Sequence, residues 1–243
     1  MPEAVRTSNG REWRVERFAE IDSTNRYLLE AARQGAAGDF VAVADHQTAG
    51  RGRFDRRWEA PPGSSLLVSV LLRSVTEVGH HVVLATALAL AAAVERVAPG
   101  VIPQLKWPND LVVHDRKLAG LLAERDGDAL VIGAGCNVQW DAFPADLEAT
   151  ATACNLEAGG PVDRDALFAE FLECLAAELN RLDDVVPRAR ARLATLDRRV
   201  RVERAHDTVV GRAVDITPDG ALVVRRDDGA DETITAGDVV HLR

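Results

Sequence analysis

The chain is poor in the residues that build disulfide frameworks, metal clusters and membrane spans. Its 243 residues include three cysteines (Cys136, Cys154 and Cys174) and six histidines, with no metal-ligand spacing among them. The N-terminus has no apolar segment of the kind found in secretory signals. The longest apolar run, roughly Val82 to Val94, is too short to cross a bilayer. These absences predict a cytoplasmic protein with buried free thiols and no membrane contact.

Several common catalytic signatures are missing as well. No G-K-[ST] segment is present, which excludes a Walker phosphate loop. The run Ile132-Gly133-Ala134-Gly135-Cys136-Asn137 follows a predicted strand, but it has neither the third glycine nor the helix of a dinucleotide fingerprint. No Ser-His-Asp pattern or pair of general-acid carboxylates is evident. The formal net charge of -9 argues against nucleic-acid binding over the whole surface, although it permits one local basic site.

The apolar pattern predicts an α+β fold with a mixed sheet. Helices are expected after a cap at Asp22 or Ser23, over His81–Val97 and Arg164–Leu182, and at 186–196. Strands are expected at Phe40–Ala44, Leu66–Leu72, Gln104–Trp107, Leu111–Val113, Lys117–Glu124 and Ala129–Gly133, the last two joined by an Asp126-Gly127 hairpin. Four or five short strands after Asp197 predict a small β-barrel, so the chain is expected to divide into residues 1–196 and 197–243.

The stretch from Gln47 to Trp58 (QTAGRGRFDRRW) is the most informative segment. Two glycines and four arginines fall within nine of its residues, on an otherwise acidic protein. Glycine lets backbone N–H groups approach a ligand, and arginine offers forked donors to carboxylate and phosphate oxygens. The stretch therefore predicts an anion-binding loop, although a solvated basic turn explains the same composition when the loop is considered alone.

A second unusual stretch is Lys106-Trp107-Pro108-Asn109-Asp110, which the proline stiffens. Lys106 offers a cation for phosphate, Asn109 an amide that can donate and accept hydrogen bonds, and Asp110 a carboxylate oxygen for Mg²⁺. A simple turn at the end of a strand would explain the proline and the asparagine, but not the lysine and the tryptophan. Lys117 precedes the apolar run Leu118–Ala123. This position is compatible with an ammonium group over a pocket and also with one that faces solvent. Together these segments indicate a site for an anion and a nucleotide, and hence ATP-dependent activation of some substrate.

At this point the chain resembles the bacterial biotin protein ligases. The motifs that carry the resemblance occur in the family's order; they are Asp22-Ser23-Thr24-Asn25, Gln47-Thr48-Ala49-Gly50-Arg51-Gly52-Arg53, Lys106-Trp107-Pro108-Asn109-Asp110, Lys117-Leu118-Ala119-Gly120 and Gly133-Ala134-Gly135-Cys136-Asn137. The C-terminal residues resemble the family's small SH3-like domain through Asp219-Gly220-Ala221-Leu222 and Ala236-Gly237-Asp238-Val239. The implied fold is a class II synthetase-like catalytic domain followed by that small domain.

The resemblance implies a role for each matching residue. It implies catalytic roles for Lys117 and Arg53, with Lys117 contacting the biotin carboxylate. The residues implied to bind biotin are Ser23, Thr24, Asn25, Gln47, Gly50, Arg51, Gly52, Arg53, Trp58, Lys117 and Gly120. Those implied to bind ATP or the adenylate are Arg51, Arg53, Arg56, Trp58, Lys106, Asn109 and Asn137, with Asp110 as a Mg²⁺ ligand.

The implied reaction joins biotin and ATP into biotinyl-5′-AMP and then transfers biotin to a lysine of a carboxyl-carrier domain of an acyl-CoA carboxylase. ATP and Mg²⁺ are the implied co-substrate and metal, and the expected state is a monomer or weak homodimer. Two departures from the family stand out. Asp55 replaces the usual loop glycine, where it is expected to pair with Arg53 or Arg56 or to weaken ATP binding. Only about 20 residues precede the first motif, so no DNA-binding domain is expected.

Two other readings remain open at this level. Lipoate ligases and octanoyltransferases share a related fold and a catalytic lysine, and the Gly-Arg-Gly-Arg loop favours biotin over them. A biotin-responsive DNA-binding regulator is disfavoured by the net charge of -9 and the short N-terminal segment.

Overall fold

The structure is a computed structural model that describes residues 2–54, 56–73, 79–204 and 206–242. Its larger sheet comprises β1 (Glu3–Arg6), β2 (Glu12–Ile21), β3 (Phe40–Gln47), β4 (Ser65–Arg73), β5 (Gln104–Lys106), β6 (Asp110–Val113), β7 (Arg116–Asp126) and β8 (Ala129–Asn137). Within the described residues the strand order is β1-β2-β3-β4-β8-β7-β6-β5. The sheet is mixed because β2 and β3 run parallel while the other neighbours are antiparallel.

Helices cover both faces of this sheet, so its central strands are apolar on both sides. The helices are α1 (Thr24–Arg33), α2 (Gly79–Val97), α3 (Cys154–Ala158), α4 (Arg164–Leu179) and α5 (Val185–Ala191). Helix α1 packs on one face with Leu71, and α2 and α4 pack on the other with Val68 and Val70. The alternation along β4 therefore directs Ser69 to the α1 side, where it is fully buried.

Helix α1 begins where the sequence predicts. The Ser23 side chain caps it by accepting a hydrogen bond from the backbone N–H of Arg26. The helix ends at Arg33, and Gly35 follows with φ of +83°, a conformation that favours glycine. This cap places Ser23, Thr24 and Asn25 beside the end of β3, because Thr48 and Ala49 donate backbone hydrogen bonds to Ile21 and Asp22.

A second, antiparallel sheet follows residue 197. Its strands are β9 (Arg199–Glu203), β10 (Thr208–Ile216), β11 (Leu222–Arg226), β12 (Asp231–Ile234) and β13 (Asp238–His241). Their order is β12-β11-β10-β9-β13, and no pairing between β12 and β13 closes it in the described part of the chain. The predicted barrel is thus an open five-stranded sheet here. Val200 and Val202 belong to the same apolar core as residues of α2 and α4, so the two sheets share one core.

Most predicted elements are confirmed, with shifted ends. The small-residue run at 133–137 lies inside β8 rather than after it, since it pairs with β4 through Asn137. The predicted helices at 164–182 and 186–196 end earlier, at Leu179 and Ala191. Strands β1 and β2 and helix α3 were not predicted. Helix α2 is longer than the predicted apolar run, and its window from His80 to Val97 is long and apolar enough to span a membrane, but 61% of that window is buried inside the protein.

Candidate active site

One pocket brings together nearly all the residues predicted for the site, although they come from segments more than 90 residues apart. It lies between the start of α1, the loop after β3 and the faces of β7 and β8. The predicted residues that line it are Ser23, Thr24, Asn25, Gln47, Arg51, Gly52, Arg53, Arg56, Trp58, Asn109, Asp110, Lys117 and Gly120. Val68, Ser69, Leu121, Leu122, Ala134 and Asp238 also line it.

A continuous hydrogen-bond network forms the floor of the pocket. Gln47 Oε1 accepts from the Thr24 backbone N–H at 2.8 Å, and the Thr24 and Ser69 hydroxyls lie 2.7 Å apart. Ser69 donates to Asn25 Oδ1 at 2.6 Å, and Asn25 Nδ2 donates to the Leu122 carbonyl at 3.2 Å and to Glu124 Oε2 at 2.9 Å. The polar floor is thus held by partners on α1, β3, β4 and β7.

This network fixes which groups the floor can offer to a ligand. Both Asn25 Nδ2 hydrogens are engaged, so Asn25 presents only the second lone pair of Oδ1, an acceptor. Because Gln47 Oε1 takes the Thr24 N–H, the groups that Gln47 retains for a ligand are the donor hydrogens of Nε2. Ser23 uses its oxygen as the α1 cap and keeps its hydroxyl hydrogen as a second donor. The floor therefore offers donors beside an acceptor, which is the complement of a cyclic urea.

Glycines let two large side chains reach the sheet. A Cβ on Gly133 would overlap Asn25 Oδ1, and one on Gly135 would lie 2.6 Å from the Trp58 indole. A Cβ on Gly120 would lie 3.1 Å from both Lys117 and Trp58. The indole of Trp58 occupies the space above these small residues of β7 and β8.

The loop after β3 folds back as a short hairpin over the pocket. Trp58 N–H donates to the Gly50 carbonyl at 3.1 Å, and Gly52 N–H donates to the Arg56 carbonyl at 2.7 Å. Gly50 does not line the pocket; a Cβ there would overlap the Trp58 carbonyl, so this glycine permits the hairpin. Asp55, predicted to pair with Arg53 or Arg56, lies outside the described residues.

Each of the four loop arginines lies near a carboxylate in the described structure. Arg51 Nη1 is 2.8 Å from Glu124 Oε1, and Arg57 Nη1 is 3.8 Å from Glu59. Arg53 and Arg56 both pair with Asp238 on β13, Arg53 at 3.6 Å. Burial lowers the pKa of Arg53, and the negative charge of Asp238 opposes that shift. Carboxylates therefore balance the charges of these guanidinium groups.

Lys117 and Asp110 form an ion pair at the pocket mouth, with Nζ and Oδ1 2.8 Å apart. The Lys117 ammonium also lies 5.6 Å from the centre of the Trp58 ring. Although it faces Lys117, Asp110 Oδ1 is buried and accepts no hydrogen bond of good geometry. Such an oxygen fits a Mg²⁺ site that relies on one carboxylate and substrate phosphates. Among the described residues, no group of three or more His, Cys, Asp or Glu side chains is placed to hold a metal alone.

A second cavity adjoins the first across Trp58, Asp110 and Lys117. Lys106 and Asn137, which do not line the first pocket, line this one together with Trp140 and Phe143. The rings of Trp140 and Phe143 stack with centroids 4.3 Å apart. Asn137 is held by its Nδ2 donating to the Thr152 carbonyl at 2.9 Å. The site thus consists of two connected cavities, and Lys117 lies at their junction.

The Lys106–Asp110 stretch is also a structural junction, which explains its tryptophan. Trp107 is buried and donates from Nε1 to the Gly220 carbonyl at 3.0 Å, so it ties the larger sheet to the C-terminal sheet. Asn109 donates to the Leu121 carbonyl at 2.6 Å and accepts from Arg53 Nη1 at 3.2 Å. The amide of Asn109 therefore positions the loop arginine before any ligand arrives.

Ser69, Glu124 and Asp238 are polar pocket or network residues that were missed from the sequence. Ser69 was detectable as the one polar residue inside the apolar run of β4. Glu124 had no comparable signal, because an acidic residue near a strand end is common on surfaces. Asp238 lies within a motif that resembles the family, but its approach to Arg53 depends on packing across 185 residues of sequence.

Models of protein families match two parts of the chain. Residues 18–141 match the Biotin/lipoate A/B protein ligase family, and residues 195–242 match the Biotin protein ligase C terminal domain. A biotin–[acetyl-CoA-carboxylase] ligase from Mycobacterium tuberculosis is 37% identical over 96% of this chain and 91% of that relative. The chain belongs to the biotin protein ligase family.

Solved ligase structures share the architecture. A biotin protein ligase from Aquifex aeolicus in complex with biotin and ATP superposes with a TM-score of 0.83 at 24% identity, covering 94% of this chain and 98% of that one. A biotin protein ligase from Leishmania major in complex with biotinyl-5-AMP gives a TM-score of 0.65 at 27% identity, covering 91% of this chain and 98% of that one. The α+β fold with a mixed sheet and a C-terminal antiparallel sheet is therefore that of the family.

Proposed function

We propose that this biotin protein ligase condenses biotin with ATP to biotinyl-5′-AMP and transfers the biotinyl group to a lysine of a carboxyl-carrier domain. The observation that carries the proposal is the connected site itself. One pocket combines the neutral polar groups of its floor with apolar side chains and a cluster of cations. A ligand with an uncharged hydrogen-bonding ring and an anionic tail matches both sets of polar groups.

The ring of biotin would lie on the floor. Its ureido carbonyl would accept from Gln47 Nε2 and the Ser23 hydroxyl, and a ureido N–H would donate to Asn25 Oδ1. Val68, Leu121 and Ala134 would contact the thiophane ring and the aliphatic chain. Trp58 and Gly120 would border that chain. This orientation directs the biotin carboxylate toward Lys117 and the loop arginines.

The first chemical step requires two anions to meet. The biotin carboxylate oxygen attacks the α-phosphorus of ATP, forming the carboxyl–phosphate bond and releasing pyrophosphate. Lys117, Arg51, Arg53 and Arg56 would reduce the repulsion and stabilise charge on the phosphate oxygens. For this, Lys117 must leave Asp110 at least partly, and Arg53 and Arg56 must leave Asp238. The resting ion pairs keep the cations in place until the substrate anions replace their carboxylates.

The second cavity would take the nucleotide. Lys106 would approach the phosphates, Asn137 would bind the adenylate end, and Asn109 would hold Arg53 in position. The stacked Trp140 and Phe143 offer an apolar face to a base. Mg²⁺ bound with ATP would neutralise charge on the phosphate oxygens, with Asp110 as the candidate carboxylate ligand.

Transfer would follow at the same junction. A neutral carrier lysine attacks the anhydride carbonyl, the amide C–N bond forms, and the acyl C–O bond breaks. AMP leaves with the electron pair of that bond, and the amine loses one proton to solvent. We propose that the carrier is the biotin-accepting domain of an acyl-CoA carboxylase, that the enzyme works in the cytoplasm as a monomer or weak homodimer, and that it binds no DNA. Residues 1–196 would form the catalytic domain and residues 197–243 the small domain.

Labelling of a purified carrier domain tests the function directly. Incorporation of biotin should require both ATP and biotin, and replacing biotin with lipoate or octanoate should abolish pyrophosphate release. Release with lipoate but not biotin would contradict the proposal and favour the lipoate branch of the matched family. A gel shift with biotin, ATP and DNA tests the regulator alternative, and no shift is expected.

A further inference from the structure

Glu124 is a polar residue at the pocket that the proposed chemistry does not use. It lies on β7 with a side chain that is 21% exposed, and its carboxylate is contacted from two directions. Asn25 Nδ2 donates to Oε2 at 2.9 Å. Arg51 Nη1 donates to the same oxygen at 3.1 Å and lies 2.8 Å from Oε1. One carboxylate thus joins a floor residue on α1 to the loop that covers the pocket.

We propose that Glu124 is a positioning residue that determines how the pocket recognises biotin, by fixing the orientation of the Asn25 amide and holding Arg51 over the same site. This inference rests on the proposed function, because it concerns recognition of the ureido ring. Glu124 would act through Asn25 and Arg51 without touching the substrate.

The orientation of the Asn25 amide follows from its surroundings. Two acceptors, Glu124 Oε2 and the Leu122 carbonyl, face one end, and one donor, the Ser69 hydroxyl, faces the other. A rotated amide would direct its oxygen at a carboxylate and a carbonyl and lose both of those hydrogen bonds, while the Ser69 hydroxyl can accept from the rotated nitrogen. The negative charge matters most, because a neutral glutamine at this position can donate to a rotated Asn25 oxygen. The anion therefore adds the stronger restraint to that of the Leu122 carbonyl, and together they make Asn25 present an acceptor to the ligand.

The contact with Arg51 links recognition to the loop. Arg51 is 41% exposed, and within the described structure Glu124 is the carboxylate that it contacts. Gly50 and Gly52 flank Arg51 and leave its backbone few steric restraints. Loss of the Glu124 charge should therefore release the loop in the free protein as well as weaken biotin binding.

Glu124→Gln tests the proposal because it preserves size and removes the charge. We expect the Kd for biotin alone, measured by calorimetry, and the KM for biotin to rise about tenfold or more, consistent with one misdirected buried hydrogen-bonding group. The KM for ATP and kcat should change by less than about threefold, the pattern expected for lost ground-state binding. Trypsin should cut the loop of the free variant faster than that of the parent.

Asp126→Asn is the matched control. Asp126 lies on the same strand, and its Oδ2 is 2.7 Å from Arg33 Nε in an ion pair outside the pocket. It should leave the KM for biotin and the loop cleavage rate unchanged. Thermal unfolding establishes that each variant is folded. If Glu124→Gln is unstable, Glu124→Asp retains the charge on a shorter side chain and should give an intermediate KM and retain part of the loop protection.

A double-mutant cycle decides whether Glu124 acts through Asn25. In an Asn25→Ala background, Glu124→Gln should add less than about twofold to the KM for biotin. A biotin KM within twofold of the parent in the single variant, or effects of the two substitutions that multiply, would overturn the proposal. Failure of the parent enzyme to bind biotin or label a carrier would instead refute the proposed function, so the two failures are distinguishable.

Discussion

At the scale of single residues, Lys117 is the cation with the most central position. It lies at the junction of the two cavities, 2.8 Å from Asp110. We predict that Lys117→Ala reduces adenylate formation by a factor on the order of 10² or more, because a fixed ammonium no longer stabilises the reacting oxygens. Biotin-dependent exchange of labelled pyrophosphate into ATP measures this step without a carrier.

The control for this substitution is Arg33→Ala, which removes an exposed cation from α1 far from the pocket. It should retain the parent exchange rate. Normal pyrophosphate exchange by a folded Lys117→Ala variant would remove Lys117 from the catalytic set.

His241 is a second residue whose environment matters, because it makes the stability of the protein depend on pH. Burial, together with the positive charges of Lys106 and Arg198, lowers its pKa to about 4, although Asp115 at 3.7 Å opposes the shift. The unfolded chain therefore binds the proton more tightly than the folded one. The contribution of neutral His241 to stability is fully present above about pH 6.5 and is lost as the pH falls toward 4.

We predict that replacing His241 with glutamine flattens this part of the pH dependence. The melting temperature of the parent should fall between pH 6.5 and 4 by several degrees more than that of His241→Gln. His206→Gln, at an exposed position, is the control and should follow the parent curve. Parallel curves for the parent and His241→Gln would show that protonation of His241 is not coupled to folding.

At the scale of elements, the loop from Gly50 to Trp58 is predicted to change its order with ligand. Its hairpin is closed by few backbone hydrogen bonds, and Arg53 and Arg56 depend on Asp238 of another sheet. Bound carboxylate and phosphate would give the guanidinium groups stronger partners. Trypsin should therefore cleave the loop more slowly with biotin and ATP than without them, and equal rates would contradict ligand-driven closure.

The contacts with Asp238 sharpen that test. Asp238→Asn should speed cleavage of the loop in the absence of ligand, since it weakens the ion pairs of two loop arginines. Asp231→Asn removes a partner of Arg225 on the same sheet and should leave the loop unaffected. Slow cleavage in both variants would mean that the loop is held without Asp238, by its hairpin hydrogen bonds and by the contacts of Arg51 with Glu124 and of Arg53 with Asn109.

Elements with a strong local pattern could be predicted from the sequence, and contacts between elements could not. The cap at Ser23, the apolar run of β4 and the hairpin at Gly127 each depend on neighbouring residues, and the structure confirms all three. The alternation of buried Trp13 and Val15 with charged residues was a strand signal that went unused. The pairing of Arg53 with Asp238 and of Arg51 with Glu124 arises only when the sheets pack.

At the scale of the whole molecule, the C-terminal sheet completes both the core and the site. Removing residues 199–243 should abolish carrier labelling, because it deletes Asp238 and exposes the apolar residues that pack against Val200 and Val202. Trp107→Phe is a milder test of the same junction, since it removes the hydrogen bond to Gly220 together with part of one buried ring. We expect it to lower the melting temperature by a few degrees and reduce labelling in part.

A folded truncated protein that labels carrier at the parent rate would contradict this role for the C-terminal sheet. Circular dichroism of the truncated chain separates loss of fold from loss of activity. An increase in activity of Trp107→Phe would show that the junction restrains the enzyme.

The two cavities contain all the lysine side chains of the chain. Of the 29 lysine and arginine residues in the chain, only Lys106 and Lys117 are lysines, and they line the two adjoining cavities. Apart from the N-terminal amine, every primary amine of the protein therefore lies in the site. An amine-selective acylating reagent should modify only Lys106, Lys117 and the N-terminal amine, and mass spectrometry should show that biotin with ATP protects Lys117. The same distribution leaves the adenylate few nucleophiles on the enzyme itself, so the carrier lysine competes with almost no amines on the enzyme surface.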